Sequence, residues 1–448
     1  MGGIWRSSTR RDHSATNDPT FLADGAFLAM TDTKRSSLQE YARRRFVLSG
    51  ASVIKDHYPY CHPTDELGIG DVASSGGVVN FAHYDYLALG ADQRIVDAAR
   101  DAVSRDGVGT GASRLVGGER MSHRALEREF AAFIGVEDTL SMVSGYGTNV
   151  ALIGHLLTKG DLIIADEAAH NSIMAGTQLS RADALVFRHN NLDHLREILL
   201  RHRGNFNRVL VVIEGLYSMD GDIPDLPGVL ALCRSHHAWL MIDEAHSIGV
   251  LGKSGCGITE HFGVVPADVD LIVGTLSKAF VTCGGFIAGK RDIIEWLRFT
   301  LPGFVYSVGL PPPTVAAARC ALAVLQEEPD RLARLHENSR YFLTQARRRK
   351  LNVGTAAGVA VIPVLFSDPA TTIAAGNAAL DAGIFVPPIA QIGVPKNAPR
   401  LRFFLSAAHT QEQISYALEV LSRFSADHDN AAVISRGRTH EMMPDTAV

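Results

Sequence analysis

The chain has 448 residues and a formal net charge of -5, and 46% of its residues are hydrophobic and 20% charged. This composition is typical of a globular protein of two or three packed units, and it gives no reason to expect nucleic acid or an anionic membrane as a partner. No apolar run approaches the roughly 20 residues of a membrane-spanning helix, and residues 1–32 lack a signal pattern. Five scattered cysteines without metal-ligand spacing predict reduced thiols in a cytoplasmic protein without a metal site.

The first predicted elements surround a glycine-rich segment. A polar stretch that we expect to be a flexible arm precedes helical periodicity at Ser37–Leu48. A short strand at Val78–Phe81 and a helix at Asp92–Ser104 come next. The segment Gly107–Arg114 contains several glycines, and a strong helix candidate follows it at Ser122–Ile134.

From there to about residue 290, short apolar runs alternate with amphipathic helices. The runs are too short for buried helices, and Gly, Asp or Asn bound them. This alternation predicts a mostly parallel, seven-stranded sheet covered by helices on both faces, an α/β fold. The predicted strands are Leu140–Val143, Leu162–Ala165, Leu185–Phe187, Val209–Ile213, Leu240–Ile242, Leu271–Val273 and Phe286–Ala288.

The remaining pattern predicts a smaller α+β domain at the carboxyl end. Its elements are a long helical stretch from Val315 to about Arg349, strands at Val361–Phe366, Gly383–Pro387 and Leu401–Leu405, and a helix at Gln411–Phe424. The expected organisation is an N-terminal arm and helix over 1–79, a large domain over 80–310, a small domain over 311–424 and a loose tail over 425–448.

Polar side chains follow four of the predicted strands. In an open α/β sheet, ligands bind at the carboxyl ends of the strands. A purely structural sheet does not need a carboxylate, an imidazole or an amine at each of these positions. The four segments are Asp166–His170, Glu214–Asp220, Asp243–His246 and Gly274–Lys278.

Lys278 is the most informative of these residues. Thr275 and Ser277 flank it with hydroxyl groups suited to a phosphate, and Gly284–Gly285 allows close approach of a backbone. Asp243 lies 35 positions earlier (278 − 243), about one strand-helix-strand unit, so it can occupy a neighbouring strand.

These residues meet the chemical needs of pyridoxal 5'-phosphate (PLP). PLP requires a lysine for its Schiff base and a carboxylate beside its pyridine nitrogen. A buried Asp243 keeps that nitrogen protonated. Its phosphate requires backbone N–H groups at the start of a helix, which Ser144–Asn149 supplies. We therefore predict a PLP enzyme with the cofactor on Lys278.

Five segments resemble the α-oxoamine synthase family of fold-type I PLP-dependent transferases, over about residues 80–421. Members of that family condense an amino acid with an acyl thioester, release carbon dioxide and free thiol, and leave an α-amino ketone. The segments are Gly109–Arg114, Ser144–Asn149, Glu214–Asp222, Asp243–Gly249 and Thr275–Lys278.

The resemblance implies a role for each matching residue. Lys278 would be the cofactor lysine and the acid/base that moves the α-proton, and Asp243 would pair with the pyridine nitrogen. His246 and Ser218 would hydrogen-bond the ring hydroxyl. His170 would stack on the ring and help to orient the amino acid.

The resemblance also implies contacts with the phosphate. Gly145, Tyr146 and Thr275 would hold it, with Ser277 beside them. Ser307 lies in a segment that reaches the phosphate from the partner subunit in family dimers. A homodimer with shared active sites is therefore expected.

Two departures from the family pattern indicate a branch. Tyr84 stands where many members have Asn, and Ala390 stands where many have Arg. Both changes resemble the catalytic subunit of serine palmitoyltransferase. The resemblance leaves Arg402 and His170 as candidates for holding the amino-acid carboxylate, with Tyr84 also lining the substrate site.

The leading hypothesis is a serine-palmitoyltransferase-like condensation, with serine favoured and alanine or glycine possible. The acyl group would be hydrophobic and carried on coenzyme A or an acyl carrier protein, in sphingolipid or in polyketide or fatty-acid-derived biosynthesis. One alternative is another reaction of this fold, by an aminotransferase or a lyase, against which Gly107–Gly118 and Asp243–Gly249 argue. The other is a non-catalytic partner subunit, a class that lacks the cofactor lysine present here as Lys278.

Overall fold

A computed structural model describes residues 37–48, 77–389 and 398–440, and the chain divides into two compact units, 1–59 and 60–448. In the first unit, helix α1 spans Leu38–Leu48, as the periodicity predicts. The predicted flexible arm, Ala390 and the end of the predicted tail, residues 441–448, lie outside the described residues.

The second unit alternates strands and helices through most of its length. Its strands are β1 Val79–Asn80, β2 Asp138–Met142, β3 Leu162–Asp166, β4 Asp183–Phe187, β5 Val209–Glu214, β6 Trp239–Asp243, β7 Leu271–Thr275, β8 Gly285–Gly289, β9 Val361–Leu365, β10 Ile384–Phe385, β11 Pro388–Ile389 and β12 Arg400–Phe404. Its helices are α2 Gln93–Asp106, α3 Met121–Ile134, α4 Gly145–Leu156, α5 Asn171–Leu179, α6 Leu192–His202, α7 Leu226–Ser235, α8 Ile258–Phe262, α9 Arg291–Thr300, α10 Pro302–Val305, α11 Pro312–Glu327, α12 Pro329–Arg348, α13 Pro369–Asp381 and α14 Gln411–His440.

Seven strands form the central sheet, in the order β2-β8-β7-β6-β5-β3-β4. Strand β8 pairs antiparallel with β2 and β7, and the other neighbours in this sheet pair parallel. Each strand overlaps one of the seven predicted apolar runs. The predicted fold class, a mostly parallel sheet flanked by helices, is therefore confirmed.

Both faces of the central strands are buried. Along β5, Val211 and Ile213 join one hydrophobic cluster, whereas Leu210 and Val212 join a second cluster on the opposite face. Because helices cover both faces of the sheet, the strands need apolar residues at every position instead of at alternate ones. This explains why their sequences are nearly continuous apolar runs.

The C-terminal region contains a smaller sheet, ordered β11-β12-β9, whose strands pair antiparallel. The helical stretch predicted from Val315 to about Arg349 is present as two helices, α11 and α12. It is divided at Glu328, which has a non-helical conformation (φ -120°, ψ 64°), and Pro329 has no N–H to continue a helix. Helix α14 extends beyond Phe424, where the pattern predicts its end. Among the described helices, none is both long and apolar enough for a membrane span.

Candidate active site

The carboxyl ends of three adjacent strands bring the predicted chemistry together. Glu214 ends β5, Asp243 ends β6, and the two residues are Cα partners in the sheet. Thr275 ends β7, and Lys278 lies in the turn that follows it. The expected placement of Asp243 on a strand next to the one before Lys278 is confirmed.

The amine of Lys278 has a perturbed pKa. Burial lowers it to about 8, with Asp243 and Glu214 opposing this effect through their negative charge. Its Nζ lies 5.6 Å from the centroid of the Tyr84 ring. A lower pKa leaves more neutral amine near pH 7, and the neutral amine is the form that attacks a carbonyl group.

The carboxylate of Asp243 is buried and oriented by two donors. Asn149 donates from Nδ2 to Asp243 Oδ2 over 2.6 Å, and the backbone N–H of Ala245 donates to Oδ1 over 2.9 Å. Asn149 Nδ2 also donates to Ser172 Oγ over 2.9 Å. The sequence analysis assigned Asn149 no role of its own, although it lies in the matched segment Ser144–Asn149, one helical turn after Gly145.

His170 caps helix α5 and contacts the end of β5. Its Nδ1 accepts from the backbone N–H of Ser172 over 3.3 Å, and its own backbone N–H donates to Glu214 Oε1 over 2.6 Å. Burial lowers the pKa of the imidazole. His170 is therefore neutral near pH 7, and because Nδ1 accepts a hydrogen bond, its proton lies on Nε2.

His246 is held by a tyrosine that sequence reasoning did not identify. The hydroxyl of Tyr86 lies 2.7 Å from His246 Nδ1, and both residues are buried. Burial raises the pKa of Tyr86 well above its ordinary value and lowers the pKa of His246 well below its own. The hydroxyl therefore donates to Nδ1, and the imidazole proton is left on Nε2 as a donor.

A narrow cradle lies at the start of α4. Ser144 caps this helix by accepting the N–H of Gly147 over 3.0 Å. A Cβ atom at Gly145 would lie 2.6 Å from Thr275 Oγ1, so only glycine fits there. Thr275 Oγ1 is in turn 2.8 Å from Ser277 Oγ. Unsatisfied N–H groups at a helix start, with hydroxyls beside them, could hold a phosphate.

Two further predicted residues lie beside these elements. The hydroxyl of Tyr146, the second residue of α4, donates to Asn171 Oδ1 over 3.0 Å. In the part of the chain that is described, Ser307 makes no hydrogen bond to Lys278 or to the site residues around it. Its neighbour Val308 instead forms an isolated bridge with Ser113. Action of Ser307 from a partner subunit stays a prediction.

Arg402 extends from β12 towards the loop after β5. Its guanidinium donates to the carbonyl of Ser218 over 2.9 Å and lies 4.6 Å from the ring centroid of Phe404. Burial lowers its pKa. Its Nε is buried and has no hydrogen-bond partner among the described residues, so this donor is available to a ligand.

The ring of Tyr84 completes the group. It lies 4.6 Å from Phe404 and 5.9 Å from His246, measured between ring centroids, in edge-on arrangements. Together these residues fit PLP: an amine of lowered pKa, an oriented buried carboxylate, two neutral imidazoles and a cradle of N–H groups. Asn149 Oδ1 and Arg402 Nε are buried polar atoms without a hydrogen-bond partner in the described part of the chain, and a bound group could satisfy them.

The comparisons with known proteins agree with this geometry. The family model described as aminotransferase class I and II matches residues 76–421. An 8-amino-7-oxononanoate synthase from Alkaliphilus oremlandii is 36% identical over 346 residues, which is 77% of this chain and 87% of that protein.

Solved structures are similar as well. Serine palmitoyltransferase from Sphingomonas wittichii is 30% identical with a TM-score of 0.81, covering 88% of this chain and 99% of that chain. Another serine palmitoyltransferase structure, solved with PLP, is 29% identical with a TM-score of 0.75, covering 78% of this chain and 88% of that one. The chain therefore belongs to the class I and II aminotransferase family, and within it to the PLP-dependent acyltransferases of the α-oxoamine synthase type.

Proposed function

We propose that this enzyme condenses a small L-amino acid, with L-serine favoured, with a hydrophobic acyl thioester. The products are an α-amino ketone, carbon dioxide and free thiol. The observation that carries the proposal is that Arg402, from strand β12 of the smaller sheet, reaches the loop after β5 and so lies close to Lys278 and Asp243 at the carboxyl ends of the central strands. We assign the cofactor site to the large domain, residues 80–310, and the carboxylate-binding arginine to the small domain, residues 311–424.

Three groups of residues would hold the cofactor. Asp243 keeps a pyridine nitrogen protonated through the attraction of opposite charges. His246 donates from Nε2 to the ring hydroxyl with help from Ser218, and His170 stacks on the ring. Gly145, Tyr146, Thr275 and Ser277 bind the phosphate.

The proton at the amino-acid α-carbon would move through Lys278. PLP, when bound, supplies an electron sink that stabilises negative charge at that carbon. The pKa of Lys278, about 8 in the unliganded protein, lies near the pH at which an acid/base can both accept and return a proton.

Selection of the amino acid would depend on Arg402, His170 and Tyr84. Arg402 has an unpartnered Nε to offer to the carboxylate, and His170 has its Nε2 proton. The ring of Tyr84, close to Lys278, limits the side chain of the amino acid to a small one. L-alanine and glycine fit the same limit, so they are the competing substrates.

The acyl donor would be a long or hydrophobic thioester of coenzyme A or an acyl carrier protein. Support for an acyl thioester comes from the similarity to serine palmitoyltransferase structures, whose name specifies a palmitoyl donor. The name of the sequence relatives, 8-amino-7-oxononanoate synthase, describes an acid with amino and oxo groups on adjacent carbons, which is an α-amino ketone.

We also propose a homodimer with shared active sites. Four hydrophobic side chains near the Ser113–Val308 bridge are exposed, and a cluster of this kind is typical of a protein interface. They are Val116, Met121, Tyr306 and Val308, which are 75%, 82%, 86% and 58% exposed. A second copy covering this surface would carry Ser307 towards the neighbouring phosphate site.

A spectral titration of the PLP-loaded protein with L-serine, L-alanine and glycine tests the substrate. The proposal predicts a saturable change of the cofactor absorbance with the lowest dissociation constant for L-serine. A lower constant for L-alanine or glycine would assign a different aminoketone product. No change with any of the three, in protein that visibly holds PLP, contradicts the substrate assignment and leaves the cofactor assignment in place.

A further inference from the structure

One buried carboxyl group that has no role in the proposed chemistry joins two residues that do. Glu214 is 2% exposed at the end of β5. Its Oε1 accepts the backbone N–H of His170 over 2.6 Å, and its Oε2 accepts the backbone N–H of Ser218 over 3.3 Å. These two residues are 48 positions apart (218 − 170) and follow different strands.

We propose that Glu214 is a positioning residue that holds His170 and Ser218, from opposite sides of one carboxyl group, in the geometry that PLP requires. The inference rests on the proposed roles of those two residues at the cofactor. Neither backbone N–H has another acceptor among the described residues. Removal of the carboxyl would therefore leave two donors without their partner at the edge of the site.

The position of Glu214 beside Asp243 indicates the charge of this group. The two carboxyls are direct neighbours on adjacent parallel strands, roughly 5 Å apart at their Cα atoms. Burial and the charge of Asp243 raise the pKa of Glu214 to about 8. Glu214 is therefore mostly neutral at pH 7, so it does not compete with Asp243 for the pyridine nitrogen.

This charge assignment makes glutamine a good mimic of the native side chain. Glu214→Gln keeps the neutral charge, the size and a carbonyl oxygen for the short bond to His170. It replaces the acceptor of the long bond to Ser218 with an amide group. Glu214→Ala loses both bonds and leaves a cavity.

Glu244 offers a matched control. It is also a buried carboxyl with a raised pKa, about 7, and it accepts a backbone N–H, that of Ile258, over 3.0 Å. Within the described part of the chain, Glu244 forms no hydrogen bond with His170 or Ser218. Glu244→Gln and Glu244→Ala therefore report the general cost of removing a buried carboxyl at this sheet edge.

The experiment measures PLP affinity and the visible spectrum of bound PLP in the four full-length variants, with thermal unfolding of the PLP-free proteins alongside. Glu214→Ala should weaken PLP binding by about tenfold or more and shift the absorbance band. Glu214→Gln should recover most of the affinity. Both Glu244 variants should lower the unfolding temperature while keeping PLP affinity within about twofold of the parent.

Two results would overturn the inference. One is an unchanged PLP affinity and spectrum in Glu214→Ala, and the other is an equal loss of affinity in Glu214→Ala and Glu244→Ala. Neither readout needs an amino acid or a thioester. A failure of the proposed condensation would appear instead as parent enzyme that binds PLP but does not turn over.

Discussion

Asn149 donates a 2.6 Å hydrogen bond to Asp243 across the boundary between helix α4 and strand β6. The same amide nitrogen donates to Ser172 Oγ, which lies 2.7 Å from His170 Nδ1. A continuous chain of hydrogen bonds thus links the carboxylate proposed for the pyridine nitrogen to the imidazole proposed to stack on the ring. Asn149 lies in helix α4, whose start forms the cradle proposed for the phosphate.

Asn149→Ala tests the importance of this link. We expect PLP binding to weaken by about 1.5–3 kcal/mol, roughly ten- to a hundredfold, because a hydrogen bond to a charged group is lost. The measurement is the PLP dissociation constant by absorbance titration. Asn338→Ala is the control, since Asn338 is a buried amide that donates to the carbonyls of Ser406 and His409. Equal PLP affinity in the two variants would contradict the role of Asn149.

The lowered pKa of Lys278 predicts how PLP association depends on pH. Only the neutral amine reacts with the cofactor aldehyde, so the association rate of PLP-free protein should rise with pH and level off above about 8. The rate is measured by stopped-flow absorbance from about pH 6 to about pH 11.5, a range that includes both the lowered pKa of about 8 and the ordinary lysine pKa of roughly 10.4. A midpoint near the ordinary value, or a rate that does not change with pH, would show that the amine is not perturbed. Lys278→Arg lacks the reacting amine, so its absorbance trace should show no slow phase of covalent bond formation with PLP at any pH.

Gly145→Ala should damage the phosphate cradle. The added Cβ would lie 2.6 Å from Thr275 Oγ1 and 2.9 Å from its Cβ, so the helix start or the strand end must move. We expect PLP affinity to fall by about tenfold or more, since a clash of this kind costs about 1–3 kcal/mol. Gly147→Ala is the matched control on the same helical turn, where the nearest atom would be 3.3 Å away. An affinity loss of the same size in both variants would remove the steric explanation.

Tyr86→Phe removes the hydroxyl that donates to His246 Nδ1. The imidazole is then free to place its proton on either nitrogen, and the donor proposed for the ring hydroxyl is weakened. We expect a shift in the absorbance of bound PLP and a loss of about 1–3 kcal/mol in cofactor binding, because a buried acceptor loses its partner. An unchanged spectrum and affinity would mean that Tyr86 is a packing residue.

Arg402→Ala should separate amino-acid binding from cofactor binding. The amino-acid dissociation constant should rise roughly ten- to a hundredfold, because a hydrogen bond to a charged group contributes about 1.5–3 kcal/mol. The dissociation constant of PLP should change less. Arg319→Ala, which removes a partly exposed pair with Glu129, controls for the loss of a cation. Equal amino-acid affinity in Arg402→Ala and the parent would exclude this side chain from the substrate site.

The central sheet was predictable because its strands are buried on both faces. The continuous apolar run at Val209–Ile213 and the polar residues after it mark a strand end without any tertiary information. The long helical stretch after Val315 was harder to predict, since residues on both sides of Pro329 have helical periodicity. The break was nevertheless signalled by a proline, which ends or begins a helix.

The site was predictable to the extent that its residues are reactive. Lys278, Asp243 and His170 are conspicuous after strands, and the structure brings them together. Asn149, Tyr86 and Glu214 form hydrogen bonds with other residues of the site, and these partners lie 94, 160 and 44 positions away. Such pairings depend on how strands and loops pack, so a single sequence does not reveal them.

The most direct test of the proposed reaction is release of carbon dioxide from a carboxyl-labelled amino acid by the PLP-loaded enzyme. The proposed condensation predicts that carbon dioxide release requires an acyl thioester, equals the amount of free thiol formed, and is lost in Lys278→Ala. Transfer of the amino group to an oxo acid, with no carbon dioxide released for any of L-serine, L-alanine and glycine, would contradict it.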